Sequence, residues 1–233
     1  MYYKLSNTAE IDTVENELKR HFKYPKIYET EKIINGFKEN TVSVITSDNP
    51  HIIEYGIWGI LPMPFKDDWE TFQQVSNTLN INRSDLRKNK WCKDAFLKRR
   101  CLIIITGFFT SYLKNGSVYP YLVYSPLKST ITLGGIYNIL EDGFITCSPI
   151  LTSANSFIRT IHNINSKMPL IINEEQREEW LDDKKLKNLD YFIYCSQQTA
   201  LKGRPIAKEF YKNDIIYDSI LEPVSDQDIP LVS

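Results

Sequence analysis

No run in this sequence approaches the ~18 consecutive apolar residues that a membrane-spanning helix needs. The opening residues, MYYKLSNTAE, also lack the basic-then-apolar layout of a secretory signal. Both absences make the cytoplasm the expected compartment and remove a membrane from the expected partners. Cysteine is sparse: Cys92, Cys101, Cys147 and Cys195 form no CxxC pair. That spacing argues against a zinc site and leaves no disulfide framework, so reduced core thiols are expected. Histidine is rarer still, at three residues with no HxxxH pair, and no metal or other cofactor is expected. Internal repeats and low-complexity linkers are absent too. A chain of 233 residues with 42% hydrophobic content then reads as one domain spanning 1–233, expected to be a monomer.

What is present is unevenly distributed. The net charge of −1 says nothing about partners, but residues 83–100, RSDLRKNKWCKDAFLKRR, carry eight Lys or Arg against two Asp. The last sixteen residues carry four acids and no cation. The basic block reads either as a solvated helix face or as a phosphate-binding surface, because grouped cations supply sequence-independent affinity for nucleic acid.

Periodicity divides the chain into elements. Ile11, Val14, Leu18 and Phe22 lie at helical spacing and predict one amphipathic helix within 8–22. VSVITSDNPHIIEYGIWGILP (42–62) predicts a hairpin around Asp48-Asn49-Pro50. Trp91, Ala95 and Phe96 share one face of a helix in the basic block. From 101 to about 152 the pattern is strand-like: CLIIITGFF as one buried strand, then SVYPYLVYS after Asn115-Gly116, TITLGGIYNIL, and GFITCSPILTS after Asp142-Gly143. Both dipeptides favour tight hairpin turns. Asn173 and Gln176 form the frame of a capping box before EEQREEWL, and YFIYC (191–195) reads as a strand. The predicted fold is a single mixed α+β domain with an antiparallel β core.

Among the histidines, His21 and His51 read as surface residues. His162, in TIHNINSKMPLII, lies in a polar loop before an apolar strand, where a neutral imidazole is a reasonable general acid or base. Trp58, Trp69 and Phe65 read either as core or rim residues, or as aromatic faces for stacking on bases.

The order of short motifs is more specific than any of these. WGILP (58–62), NINRSD (80–85), DAFLKRRCLIIITGFFTSY (94–112), YPYLVY (119–124), LGGIYN (133–138), ILTSAN (150–155) and IHNINSKMPLII (161–172) follow one another. That succession, from about 36 to 172, resembles the SRAP family of SOS-response-associated, peptidase-like proteins that trap abasic sites covalently in single-stranded DNA. The resemblance implies a barrel-like β core with flanking helices and a cationic channel for single-stranded DNA. It also implies a mechanism in which an N-terminal cysteine, exposed by loss of the initiator methionine, closes a thiazolidine on the abasic aldehyde with the help of a glutamate, an asparagine and a histidine.

Carried over by residue, the resemblance places His162 on the family histidine, Lys167 where an arginine precedes Met168-Pro169, and Arg83 on the phosphate-holding arginine. Thr152 and Ser153 fall on small polar residues beside the site. The cysteine position is Tyr2 and the glutamate position is Thr110. The asparagine falls on Ile81 by strict alignment, or on Asn80 or Asn82 after a one-residue shift. A phenol has no β-thiol to close a ring on an imine, and Thr110 is no proton acceptor of carboxylate strength. Met1 is expected to stay ahead of so large a second residue. The expected function is therefore binding of single-stranded DNA at abasic sites in a damage response without cross-linking, a pseudoenzyme within its family. Arg83, Arg99, Arg100, Asn80, Asn82, Trp58, Thr152, Ser153, Lys167 and Lys4 are the expected DNA contacts. Two alternatives stay open: an abasic-site lyase or autopeptidase using another amine, Met1 or Lys4, and a scaffold whose pocket serves a partner other than DNA.

Overall fold

The computed structural model describes residues 2–88, 90–182, 188–211, 219 and 221–224. In chain order the elements are β1 (Lys4–Asn7), α1 (Ile11–Leu18), β2 (His21–Phe22), β3 (Glu31–Asn35), β4 (Thr41–Thr46), β5 (Ile52–Trp58), α2 (Trp69–Ser76), β6 (Ile81–Asn82), α3 (Asp85–Lys88) and α4 (Lys90–Lys98). Then follow β7 (Arg100–Ile105), β8 (Gly107–Lys114), β9 (Ser117–Tyr124), β10 (Ile131–Ile139), β11 (Ile145–Ser153), α5 (Ser156–Ile161), β12 (Lys167–Pro169), α6 (Arg177–Leu181), α7 (Leu189–Gln197) and β13 (Lys202–Pro205).

The strands form two sheets. One has the order β13-β9-β8-β1-β3, and every pairing in it is antiparallel. In the other, β5-β4-β7-β10-β11 closes on itself through a parallel β11–β5 pairing, giving the barrel-like core that the family resemblance implies. The tight turn at Asn115-Gly116 has both residues at positive φ, 50° and 76°, the geometry that matches the twist of the β8–β9 hairpin.

The run CLIIITGFF is two strands, not one. The chain bends at Thr106, whose amide and hydroxyl both donate to Ser6 O, so β7 belongs to the closed ring and β8 to the five-stranded sheet. β7 is covered on both faces, which is why it reads as an uninterrupted apolar run. Cys101, Ile103 and Ile105 join Val42, Val44, Leu133 and Tyr137 in one core, while Leu102 and Ile104 pack with Val14 and Leu18 of α1 and Trp180 of α6. Cys92, Cys101 and Cys147 are buried free thiols, and Cys195 is half-buried.

Two further expectations change. YFIYC belongs to the helix α7, capped by the Asn188 side chain on Asp190 N. Its buried residues Phe192, Ile193 and Ser196 follow a spacing of three to four, a helical period that overrides the β propensity of Tyr, Phe and Ile. Phe22 lies beyond α1, which stops at Lys19 (φ 55°), and pairs instead along β5. The capping box of Asn173 and Gln176 is present and opens a short 3-10 turn before α6. No helix among the described residues is long and apolar enough to cross a membrane. The expected retention of Met1, the side chain of Trp91 and the acidic tail from 225 lie outside the described side chains and residues.

Candidate functional site

The end of the five-stranded sheet meets the end of β11 around Tyr2, which is buried in the core. Along β8 alternate side chains turn to opposite faces, so Phe108 and Thr110 point one way and Phe109 the other. Phe108 meets Tyr2 edge to face, 5.4 Å between ring centres, while Phe109 packs on Phe210. Thr110 is buried on the Phe108 side, which is the Tyr2 side.

Tyr2 is fixed at both ends. It is 1% exposed, its phenol donates to Lys167 O (2.7 Å), and its own carbonyl accepts from Asn80 Nδ2 (2.8 Å). The imidazole of His162 lies 5.6 Å from the Tyr2 ring. His162 follows α5, whose N-cap Asn155 accepts from Ile158 N through its side chain. Its Nδ1 lies 3.0 Å from Ser111 O; a carbonyl only accepts, so Nδ1 carries the proton and Nε2 keeps a lone pair. Burial pushes the His162 pKa below its ordinary 6.5, with the Ser111 carbonyl and the Asn165 amide opposing in part, so the ring is neutral near pH 7.

Two polar atoms of residues that touch Tyr2 are buried without a hydrogen-bond partner among the described residues, His162 Nε2 and Asn80 Oδ1; Thr152 Oγ1 on β11 is another such atom. A buried polar atom without a partner costs stability.

The three candidate positions for the asparagine lie at and beside β6. β6 runs parallel to β11, with Ile81 opposite Ile150 and Asn82 opposite Leu151. Ile81 packs into the helix-covered core, which leaves its neighbours Asn80 and Asn82 for polar contacts. Asn80 holds Tyr2, while Asn82 accepts from Lys167 Nζ and donates to Asp85 (2.9 Å). Arg83 is 44% exposed and forms an ion pair with Asp190, itself 54% exposed, on α7. Ser153 lies opposite Lys167 at the exposed end of β11.

Three expected contacts lie elsewhere. Trp58 is wholly buried with Nε1 on Leu79 O, which withdraws its ring from stacking on a base. Arg100 is 0% exposed and donates to the carbonyls of Trp180, Phe96 and Leu97, so it is structural and cannot reach a phosphate. Lys4 lies on the outer face of the sheet, with Nζ on Phe210 O (3.2 Å) and over the Phe210 ring, away from Tyr2. Arg99, half-buried, binds Asn138 Oδ1 (3.0 Å). Trp69 is also buried, and Phe65 packs on Phe72. Phe108 could be found in TGFFTSY, but nothing local in the sequence points to Asp190, 107 residues from the arginine it neutralises. No cluster of three or more potential metal ligands occurs among the described residues.

This is the architecture of a closed β ring joined to a second sheet, with a histidine and an asparagine at the junction. The same fold occurs in crystal structures of a Bacteroides thetaiotaomicron protein (TM-score 0.80, 21% identity, 96% of this chain and 100% of that one) and a Bordetella bronchiseptica protein (0.66, 14%, 88% and 99%). The family model of the SOS response associated peptidase (SRAP) matches residues 3–212, and the chain belongs to that family. Among its relatives are the abasic site processing protein HMCES of Gallus gallus, 25% identical over 150 residues (54% of this chain, 44% of that protein), and the abasic site processing protein YoaM of Bacillus subtilis, 21% identical over 151 residues (63% of each). The matches span less than two thirds of these relatives.

Proposed function

We propose that this protein binds single-stranded DNA at abasic sites, in the setting of DNA damage, and does not form a thiazolidine cross-link. Membership of the SRAP family and relatives named as abasic site processing proteins support the DNA partner. One observation carries the loss of cross-linking: Tyr2 occupies the position beside His162, anchored through its phenol and its carbonyl, and neither it nor Thr110 brings a thiol or a carboxylate there. A phenol cannot add across an imine to close a five-membered ring. His162, neutral and with Nε2 unpaired among the described residues, serves as a hydrogen-bond acceptor for the ring-opened sugar once Tyr2 gives way to it.

The backbone of the DNA is held by Arg83 and Lys167 at the rim, with Ser153 and Asn82 beside them. Arg83 exchanges Asp190 for phosphate at little cost, because an exposed ion pair is weak in water. The lyase alternative loses Lys4 as its amine, since that ammonium faces Phe210.

The test is incubation with a single-stranded oligonucleotide bearing one abasic site, with and without borohydride, read by denaturing gel and intact mass, alongside fluorescence anisotropy over a salt series. The expected result is no adduct under either condition and binding that weakens steeply with salt. An adduct without borohydride overturns the loss of cross-linking, one that needs borohydride establishes the amine alternative, and absence of binding at low salt overturns the DNA reading.

A further inference from the structure

The face of the five-stranded sheet turned away from Tyr2 carries a cavity of about 610 Å³, within the range of small-molecule sites. We propose that it is a second, independent anion site that takes the phosphate group of a nucleotide or of inorganic phosphate. Leu122, the cross-strand partner of Phe109, forms part of its floor, and Arg204 on the edge strand β13 is paired to Leu122 in turn. The cavity therefore lies opposite His162, with the sheet between them.

The lining is cationic and hydroxyl-rich. Lys32, Lys128 and Arg204 face one carboxylate, Glu222, among the described residues, and serine and threonine side chains including Thr106 fill the rest of the polar wall. Arg204 is the decisive residue. Its guanidinium lies 5.7 Å from the centre of the Tyr124 ring, and its Nε is buried with no hydrogen-bond partner among the described residues. Arg204 is half-buried on the cavity wall, and its planar fork beside a cavity is the geometry that phosphate oxygens satisfy two at a time. Lys128 is partly occupied, its ammonium 3.0 Å from Glu174, so it acts as a rim charge rather than the anchor. Tyr124 offers an aromatic wall to a base.

Titration calorimetry of the full chain at fixed ionic strength, with inorganic phosphate, deoxyadenosine monophosphate and deoxyadenosine, tests the site. Saturable binding of both phosphates and none of the nucleoside is expected. A nucleotide that binds more than tenfold tighter than inorganic phosphate identifies a nucleotide site, and equal affinities identify a free oxyanion site. Arg204→Gln is expected to weaken binding by about tenfold, as loss of a charge-assisted hydrogen bond does. Glu222→Gln, an exposed change that spares the fold, is expected to strengthen it two- to threefold. The affinity of Arg204→Gln for single-stranded DNA stays at the wild-type value, which separates this site from the DNA interface. The proposal is overturned if neither phosphate binds at millimolar concentration, if the nucleoside binds as well as the nucleotide, or if Arg204→Gln leaves phosphate affinity unchanged.

Discussion

Two regions of this protein bury polar groups and treat them in opposite ways. Beneath the closed ring, Ser148 accepts from Ile60 N and donates to Thr78 O, Thr146 accepts from Leu61 N, and Asn138 donates to Leu61 O while accepting from Arg99. Arg100 donates to three carbonyls. Around Tyr2, His162 Nε2 and Asn80 Oδ1 are left without partners among the described residues. The first arrangement stabilises a fold, because each buried group recovers the hydrogen bond it loses to water. The second forgoes that stability.

This contrast breaks most visibly at Arg100. Arg100→Met leaves the buried Trp180 carbonyl and the part-buried Phe96 and Leu97 carbonyls without this donor and should cost about 2–3 kcal/mol in urea denaturation, with affinity for single-stranded DNA per folded molecule unchanged. A loss well below 1 kcal/mol would remove the distinction between the two regions. Tyr2→Phe should cost less, about 1 kcal/mol, since it deletes only the donor to Lys167 O and preserves the ring between Phe108 and His162.

At the rim, Asp190→Asn frees Arg83 and should tighten single-stranded DNA binding by about two- to threefold in fluorescence anisotropy at low salt, an advantage that shrinks as salt rises. Unchanged affinity at low salt would take Arg83 out of the interface.

The smallest effect concerns His162. Its folded pKa lies below the 6.5 of the unfolded chain, so below that pH the unfolded state binds more protons and stability falls as pH falls through the folded value. His162→Gln should flatten that decline in pH-dependent thermal unfolding. An undiminished slope below pH 6.5 would assign it to other groups.

Much of the fold was legible because its signals are local. Asn115-Gly116, the β4–β5 hairpin, the Ile11–Leu18 stripe and the Asn173/Gln176 capping box each depend on residues a few positions apart. CLIIITGFF was read as one strand because hydrophobicity runs through Thr106 without a break. Only the donation of Thr106 to Ser6, 100 residues away, divides it between two sheets. YFIYC failed for another reason: a short apolar run fits either period, and packing of Phe192 and Ile193 against Trp180 and the ring chose the helix.

The site divides in the same manner. The order of motifs placed His162, Thr110, Arg83 and the Asn80–Asn82 segment in one family pattern, and the identity of Tyr2 alone excluded a thiol, since chemistry of that kind belongs to the residue type. Tertiary structure decided which cations face solvent. Arg83 and Arg100 lie in one basic block and were both expected to contact DNA, yet Arg83 pairs with Asp190 at the surface while Arg100 is enclosed under Trp180. It also decided that the Tyr2 phenol meets Lys167 O across 165 residues. Residue identity sets which bonds a side chain is able to form. Burial and long-range pairing, which no short window of sequence contains, determine which bonds it does form.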